Sequence, residues 1–235
     1  MHKSKKYLPV LFCLCIYAMP ARGQALLALL FGGKIQNDNI SLGIHLALEA
    51  SDLTNTPSSN LRPGLAFGAY TNVRLKGRWT LSNYFIFKSS RGANAIPFAY
   101  QLQPNVPGAL DADIARKLTY FEISPLMRYN LTPELSLAAG PQIAIRTIAK
   151  DIYTQTLPDG GDEKLVYKTN DYYGRFDIDA AADIQYAFYK GNGVRLNFRF
   201  SQGFVNVYKS EVPFSAKNQY FQLGVGIPIP VGKKK

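Results

Sequence analysis

The stretch that decides the fold is residues 174–189, which read GRFDIDAAADIQYAFY. Every second residue from 176 to 188 is apolar or aromatic. The alternate positions carry three aspartates, Asp177, Asp179 and Asp183. A period of two is typical of a β-strand with one apolar and one polar face. The segment therefore predicts a strand that separates an apolar medium from a charged one.

The same alternation recurs along the chain and predicts eight antiparallel strands. They lie near residues 39–51, 63–75, 78–89, 117–130, 134–149, 174–189, 193–208 and 218–229. No charged residue stands on the apolar face of any of them. The other face carries Glu49, Arg74, Lys88, Glu122, Arg128, Arg146, Arg175, Asp177, Asp179, Asp183, Arg195 and Arg199.

The connections between these strands alternate in length. Short, Gly- or Pro-containing turns are predicted at 76–78, 131–133 and 190–193. Long connections rich in Pro, Gly, Asn and Asp are predicted at 52–62, 90–116, 150–173 and 209–217. Short periplasmic turns and long outer loops are typical of transmembrane β-barrels. An even number of strands places both ends of the barrel domain, 39–230, on the periplasmic side.

The two faces are also distinguished by side-chain size. The charged face contains many small residues, including Gly43, Ala47, Gly68, Gly224 and Gly226. Small residues suit the crowded lumen of a narrow barrel, whereas large aromatic residues on the apolar face suit lipid. An Arg or Lys on the lipid face costs about 2–4 kcal/mol at the membrane midplane, which explains its absence there. A soluble periplasmic barrel with a dry core is the less favoured alternative.

The N-terminus has the order of a secretory signal. A lysine-rich start precedes the apolar run 7–19, YLPVLFCLCIYAM, and Ala21-Arg22-Gly23 supplies small residues before Gln24. We expect cleavage after residue 23; an uncleaved anchor is the alternative, although the run is short for a membrane span. Both cysteines of the chain lie in this run. Export and insertion into the outer membrane of a Gram-negative cell are therefore predicted.

Two short segments flank the predicted barrel domain. Residues 24–38 precede it and begin with QALLALLFGGK, which suits a short helix at the barrel mouth or simple apolar packing. Residues 231–235 form a basic tail. The formal charge of +11 falls to +7 without the leader, and its basic residues are scattered along strands and turns. This distribution lacks the clustered basic patch of a nucleic-acid-binding protein.

An eight-stranded barrel has a lumen just wide enough to be filled by side chains. Buried charges need partners, so we expect a structural polar network in the lumen. Its predicted members are Glu122, Arg128, Asp177, Asp179, Asp183, Arg195 and Arg199. The three aspartates are expected to face Arg195 and Arg199 on the next strand, with Glu122 and Arg128 joining from across the lumen.

Two local features qualify the strand pattern. Trp79, Tyr129, Tyr186 and Phe188 fall near the short-turn ends of their strands, as an aromatic girdle would. Pro125 and Pro141 stand in the middle of neighbouring predicted strands. Proline in a central strand is normally excluded because it has no N–H to donate. A bulge or bent edge is therefore predicted at the two prolines.

The sequence does not indicate a catalytic, cofactor or metal site. His45 is the one histidine of the mature chain, and Glu49 lies about 13 Å further along the same strand, too far for a hydrogen bond. The acidic loop tip 159–163, DGGDE, lacks the spacing of an EF-hand. We therefore expect no enzyme activity and no bound cofactor or metal.

The segment Tyr120–Tyr129, YFEISPLMRY, resembles a characteristic strand of the PorT-like outer-membrane β-barrel family. Leu137–Pro141, LAAGP, resembles the Gly-Pro strand of that family, and residues 64–74, GLAFGAYTNVR, also fit. The resemblance covers the mature chain and implies an outer-membrane barrel. The chain departs from it by ending in three lysines rather than an aromatic residue. The secretion role of the member that names the family has no matching motif here.

These observations favour a monomeric outer-membrane barrel, surrounded by lipid, that is structural or binds a protein or small molecule through its long outer loops. The loop 150–173 contains four tyrosines, a residue common in binding loops. A narrow channel or transporter for small solutes is the first alternative. A membrane lipid hydrolase that uses His45 is a weaker one.

Overall fold

Alternating side chains build a sheet of nine strands in the part of the chain that the structure describes. The structure is a computed structural model that describes residues 39–57, 59–103, 106–107, 112–156 and 160–229. The strands are β1 Ile40–Thr54, β2 Asn60–Arg74, β3 Trp79–Asn94, β4 Asp113–Asn130, β5 Leu135–Thr156, β6 Asp162–Lys168, β7 Phe176–Ala187, β8 Arg195–Gly203 and β9 Lys217–Pro228. Single 3-10 turns lie at Phe98–Tyr100 and Asn170–Tyr172.

Several predicted features lie outside the described residues. They are the signal peptide 1–23 with its cleavage site, the segment 24–38 and the tail 231–235. Within the described ranges, no helix combines the length and apolar character needed to cross a membrane.

Eight of the strands close into a ring, which confirms the predicted architecture. Each pairs antiparallel with its neighbours in the order β1, β2, β3, β4, β5, β7, β8, β9, and β9 pairs with β1 to close the circle. The ninth strand, β6, pairs only with the outer third of β5, residues 150–156. The inner half of β5 pairs with β7. β6 is therefore an extension of the sheet beyond the ring.

The stagger of the ring follows from the pairing. Starting at Val73 on β2 and stepping to each paired residue in turn, the path returns to β2 at Pro63, ten residues away. It runs through Leu81, Met127, Ala139, Ala182, Phe200, Phe221 and Ala50. Ten residues of stagger over eight strands correspond to a strand tilt of about 40°. This tilt lies in the range of transmembrane barrels.

The predicted apolar face points outward. Leu48, Leu65, Phe198 and Leu223 are each about half exposed, and the intervening residues are buried in the lumen. Small inward residues make room for aromatic ones. A Cβ on Gly43 would lie 2.2 Å from the Tyr70 ring. The lumen is therefore packed with side chains rather than open along its length.

The two ends of the barrel differ as predicted. Short turns connect β2 to β3, β4 to β5 and β7 to β8 at one end. The other end carries the connections 55–59, 95–112 and 204–216, together with β6 and its flanking residues. These are called the short-turn end and the loop end below.

The prediction of a long connection at 150–173 is wrong in part. β5 continues to Thr156, and β6 pairs with it from Lys150 opposite Lys168 to Thr156 opposite Asp162. Half of the predicted loop is therefore a β-hairpin. Its sequence, with Asp162, Glu163 and Lys164 at the start of β6, has too little apolar alternation to indicate a strand by itself.

The bulge predicted at Pro125 and Pro141 is also wrong. The pairing of β4 with β5 has the same register on both sides of the prolines, Ile123 opposite Ile143 and Met127 opposite Ala139. That register places Pro125 opposite Pro141, and residues 124–126 and 140–142 make no β4–β5 pairing. Because neither proline can donate an N–H, the ladder is interrupted there without any slip. The real irregularities lie further toward the loop end, at Ile86/Ser89 and Thr119/Tyr120.

Candidate functional site in the lumen and at the loop end

A single arginine organises the polar lumen near the loop end. Arg91 on β3 is fully buried, and its Nη2 lies 2.6 Å from Glu122 Oε1 on β4. Its Nη1 lies 3.1 Å from Asp179 Oδ2 and 3.7 Å from Asp177 Oδ2, both on β7. One guanidinium therefore joins three carboxylates across the barrel.

Aromatic and amide side chains complete this cluster. The Arg91 guanidinium lies 4.8 Å from the Tyr120 ring centre and 4.4 Å from that of Tyr220, within cation–π range. Gln142 Nε2 donates to Asp179 Oδ2 at 2.6 Å, and Asn218 Nδ2 donates to Asp177 Oδ2 at 2.5 Å. The carboxylates that share one arginine thus receive further hydrogen bonds, which buried charges require.

Glu49 lies beside this cluster and is satisfied differently. Its carboxylate accepts hydrogen bonds from Ser89 Oγ at 2.9 Å, the Ser90 backbone N–H at 3.0 Å and Gln222 Nε2 at 3.1 Å. Among the described residues, none of the ion pairs includes Glu49. Neutral donors therefore hold this buried carboxyl group.

A second cluster lies closer to the short-turn end. Asp183 on β7 lies between Arg128 Nη2 at 2.9 Å and Arg199 Nη2 at 3.0 Å. Arg128 also donates to Ser82 Oγ, Ser136 Oγ and the Tyr84 hydroxyl. Here two arginines share one carboxylate, whereas around Arg91 one arginine serves three carboxylates.

The predicted network residues fall into these two clusters with one exception. Glu122, Asp177 and Asp179 meet at Arg91, and Arg128, Asp183 and Arg199 meet at Asp183. Arg195 contacts no carboxylate in the described part of the chain; it lies 5.1 Å from the centre of the Tyr70 ring. The expected pairing of Asp177 and Asp179 with the arginines of β8 does not form.

Sequence reasoning missed Arg91 because of a β-bulge. The third strand was predicted to end at residue 89, and strict alternation would place Lys88 inside and residue 91 outside. One extra residue between Ile86 and Ser89 inverts the alternation. Lys88 is consequently exposed on the outer face, which corrects its predicted inward position, and Arg91 enters the lumen. Nothing in the sequence marks this bulge.

Three further residues predicted to face the lumen lie at the barrel ends. Arg74 and Arg175 are exposed at or beyond strand ends. Arg146 is half-buried, and its guanidinium donates to the backbone carbonyls of Asn170, Tyr173 and Gly174. Arg74 is the last residue of β2 and lines a cavity at the short-turn end, whereas Arg175 lies just before β7 begins. Arg146 fixes the connection to β7.

The loop end is closed by a folded cap. Arg116 on β4 makes a two-pronged ion pair with Asp151 on β5, with Nε–Oδ1 and Nη2–Oδ2 distances of 3.0 and 2.8 Å. Arg116 also donates to the Tyr208 hydroxyl at 2.5 Å and to the Tyr100 carbonyl at 3.0 Å. Through this arginine, the β3–β4 and β8–β9 connections are joined to the barrel wall.

Apolar side chains pack around that arginine. Buried residues from the long connections, among them Ile96, Leu102 and Val207, contact inward residues of the strand ends such as Leu53 and Leu118. The rings of Tyr173 and Tyr208 stack with their centres 5.2 Å apart. Burial is the main cause that raises the pKa of both tyrosine hydroxyls, so both stay protonated. The cap is thus an ordinary protein core built from loops.

The short-turn end opens into a polar cavity of about 650 Å³. Arg74, Arg128, Lys190 and Arg195 line it, together with the acidic residue Glu134. The cavity reaches inward as far as Arg128, which also binds Asp183. Access to the lumen from this end is therefore blocked by the second cluster.

His45 lies in the lumen between the two clusters. Its Nε2 is 3.4 Å from Gln222 Oε1, and its ring meets that of Tyr84 edge-on with centres 5.1 Å apart. In the described residues, no three acidic, histidine or cysteine side chains are arranged to hold a metal ion.

Comparison with known proteins supports the architecture. The sequence profile of the family described as "Outer membrane protein beta-barrel domain" matches residues 35–209. No curated protein sequence matches the chain.

Several solved structures are similar in fold. The attachment invasion locus protein of Yersinia pestis is 12% identical, with a TM-score of 0.44 over 82% of this chain and 99% of its own. Neisserial surface protein A is 9% identical, with a TM-score of 0.42 over 80% of this chain and 96% of its own. The outer membrane protein OprG of Pseudomonas aeruginosa is 8% identical, with a TM-score of 0.36 over 81% and 93%.

Proposed function

This chain belongs to the outer membrane protein β-barrel family, and we propose that it is a binding platform that presents a preformed surface at its loop end. The observation that carries the proposal is the folded cap. The connections are held by a buried ion pair, Arg116–Asp151, and by an apolar core. Ordering the loops before binding lowers the entropic cost of association, and long outer loops are the usual binding elements of such scaffolds.

The β5–β6 hairpin extends this surface. β5 has 22 residues and β6 pairs only with its outer third, so the hairpin projects beyond the ring. β6 is an edge strand in the described structure, and its outward Val166 is 54% exposed. An edge strand can accept an additional strand from a protein partner. We place the partner contact at this edge and the adjoining cap.

A photoreactive residue at position 166 tests this assignment in intact cells. We expect a discrete crosslinked adduct from position 166, whose partner mass spectrometry identifies, and none from position 75. Leu75 is the control because it is also exposed but lies in the turn after β2, at the opposite end. Adducts that are absent at 166, or equally abundant at 75, would contradict the proposal.

In this proposal the filled lumen is structural. The two arginine–carboxylate clusters lie one above the other and join six of the eight ring strands through side chains. The seven residues predicted from the sequence would then stabilise the barrel rather than bind a ligand. The first measurement of this role is unfolding of the purified barrel after substitution of Arg91 or Asp183.

A narrow channel is the second candidate, and the cavity at the short-turn end is the observation that favours it. Because Arg128 and Asp183 close that cavity, we expect no steady conductance steps from the purified protein in planar bilayers. Steady steps in the wild type whose size changes in the Arg128→Gln variant would support the channel instead. The Arg78→Gln variant, altered at an exposed arginine of the same end, is the control.

We propose no catalytic role for His45. The side chain partner of its Nε2 is an amide oxygen, and a hydrolase would need a serine and an acid arranged around it. Hydrolysis of a phospholipid ester by the purified barrel, lost in the His45→Ala variant, would overturn this conclusion.

The remaining proposals concern export and subfamily. We propose that residues 1–23 are removed before the barrel reaches the outer membrane and that the barrel is monomeric. We also propose that the chain belongs to the PorT-like branch, because of its Tyr120–Tyr129 and Leu137–Pro141 segments. Mass spectrometry of the protein from isolated outer membranes should give an N-terminus at Gln24. Recovery of the intact chain would favour an uncleaved anchor.

A further inference from the structure

Three lysines stand directly opposite one another on three adjacent strands. Lys117 on β4 pairs with Lys150 on β5, and Lys150 pairs with Lys168 on β6. All three point to the outer face, because the residues on either side of Lys117 and Lys150 are buried in the lumen or the cap. Like charges directly opposite on a sheet repel and destabilise the pairing. This row, Lys117–Lys150–Lys168, is called the lysine row.

The repulsion is not relieved within the described structure. None of the six ion pairs includes a residue of the lysine row. Two more basic side chains, Arg62 and Lys88, are near enough to repel Lys117 electrostatically. The outer face of β2 to β6 therefore carries a basic patch that has no carboxylate partner among the described residues.

The height of the lysine row on the barrel identifies its surroundings. Tyr129, at the short-turn end, packs edge-on against Trp79 with ring centres 4.9 Å apart, as a membrane-interface pair does. Lys117 lies 12 residues further along the same strand. At a rise of 3.3 Å per residue and a tilt of about 40°, this separation is roughly 30 Å along the barrel axis. The apolar band of such barrels is about 25 Å tall.

Aromatic side chains mark the upper edge of that band just below the lysine row. Phe67 and Phe87 have ring centres 6.2 Å apart, and Phe87 and Phe121 have centres 6.4 Å apart, all on the outer face. Lys88 follows Phe87 directly and is long enough to extend toward the interface. The basic patch therefore lies at the headgroup level of the leaflet nearest the loop end.

We propose that the lysine row, with Lys88 and Arg62, binds the phosphate groups of a phosphorylated glycolipid in the outer leaflet. Bound phosphate would replace the missing carboxylates and turn a repulsive row into a stabilising one. Three lysines in register on neighbouring strands, which lie about 4.8 Å apart, suit a lipid with more than one phosphate. The site shares strand β6 with the partner surface proposed above, because Lys168 lies two residues from Val166, but it needs no protein partner.

Thermal unfolding of the purified full barrel in zwitterionic micelles tests this site, with bisphosphorylated lipid A as the probe and its dephosphorylated form as the reference. The midpoint temperature of unfolding is read from the heat-induced shift in gel mobility. We expect lipid A to raise the midpoint of the wild type by several degrees, and the dephosphorylated form to raise it much less. The K117Q/K150Q/K168Q variant should lose more than half of that increase.

The same variant gives a second, opposite readout. In micelles without lipid A, it should be at least as stable as the wild type, because the cross-strand repulsion is removed. A merely structural role for the lysines would instead make the variant less stable in both conditions. If the triple variant does not fold, K150Q alone removes the central charge and should reduce the lipid A effect in the same direction.

A matched control separates this site from net charge. The K76Q/R78Q/K190Q variant removes three exposed basic residues at the short-turn end and should keep the full lipid A effect. The proposal is wrong if both variants lose the effect equally, or if the wild type gains none. It is also wrong if soluble heparin, rather than lipid A, stabilises the wild type in a lysine-row-dependent way, since that would indicate an external polyanion.

Discussion

Arg91 Nη2 lies 2.6 Å from Glu122 Oε1, and both side chains are completely buried inside the barrel. The same guanidinium also reaches Asp179 and Asp177. Three carboxylates therefore depend on one cation for their neutralisation, so Arg91 is the most consequential single residue of the lumen.

Replacing Arg91 with Met should destabilise the barrel by about 3–5 kcal/mol, because it leaves buried carboxylates without their cation. Urea unfolding of the purified protein in detergent measures the change. The control is Arg195→Met, which removes a luminal arginine that contacts no carboxylate in the described structure and should cost clearly less. Equal effects of the two substitutions would contradict the central role of Arg91.

The second cluster predicts an order of effects. Asp183→Asn leaves both Arg128 and Arg199 without a carboxylate, whereas Arg199→Ala leaves Asp183 paired with Arg128. The first change should therefore cost more than the second, with roughly 3–5 kcal/mol expected for the loss of the shared carboxylate. The same unfolding experiment compares them. A larger effect of Arg199→Ala would mean that packing of Arg199 on Tyr84, rather than charge pairing, dominates.

The cap should open while the barrel stays folded when the Arg116–Asp151 ion pair is broken. In the Arg116→Ala variant, Asp151 is left buried and the hydrogen bonds to Tyr208 and Tyr100 disappear. Limited proteolysis should then cut the 95–112 connection at least tenfold faster than in the wild type, because local opening controls cleavage. Heat-modifiable gel mobility should stay unchanged. Simultaneous loss of the mobility shift would show that cap and ring unfold together.

The packing of Gly43 against Tyr70 predicts a clash that can be rescued. A Cβ at position 43 would lie 2.2 Å from the Tyr70 ring, so Gly43→Ala should cost about 1–3 kcal/mol through overpacking. The double variant with Tyr70→Leu should recover part of this loss in urea unfolding. Gly174→Ala is the control, because its new Cβ would meet no atom closer than 3.7 Å.

Most of the ring could be predicted from the sequence because lipid and lumen impose opposite demands on alternate residues. The stretch 174–189 shows this pattern throughout, and its structure is β7 from Phe176 to Ala187. The polar members of the luminal clusters on β4, β7 and β8 were predicted for the same reason, since their strands have no bulge between the residues concerned. The hairpin β5–β6 was not, because outside the membrane the alternation is no longer imposed.

The pairing of the luminal charges could not be predicted from the sequence. The sequence indicated that Asp177 and Asp179 face inward, but strand tilt and the bulge before Ser89 decide that they meet Arg91 rather than an arginine of β8. Likewise, each residue of the lysine row is unremarkable in the sequence, and only the register of β4, β5 and β6 places the three charges side by side.

The sequence by itself determined the eight strands of the ring, the lipid-facing side and the alternation of short and long connections. These follow from local side-chain periodicity, which each strand carries independently. The tertiary structure alone decided the partners of Arg91, the fold of the cap and the alignment of the lysine row. Those depend on inter-strand register, and one extra residue in a strand reverses the facing of every side chain beyond it.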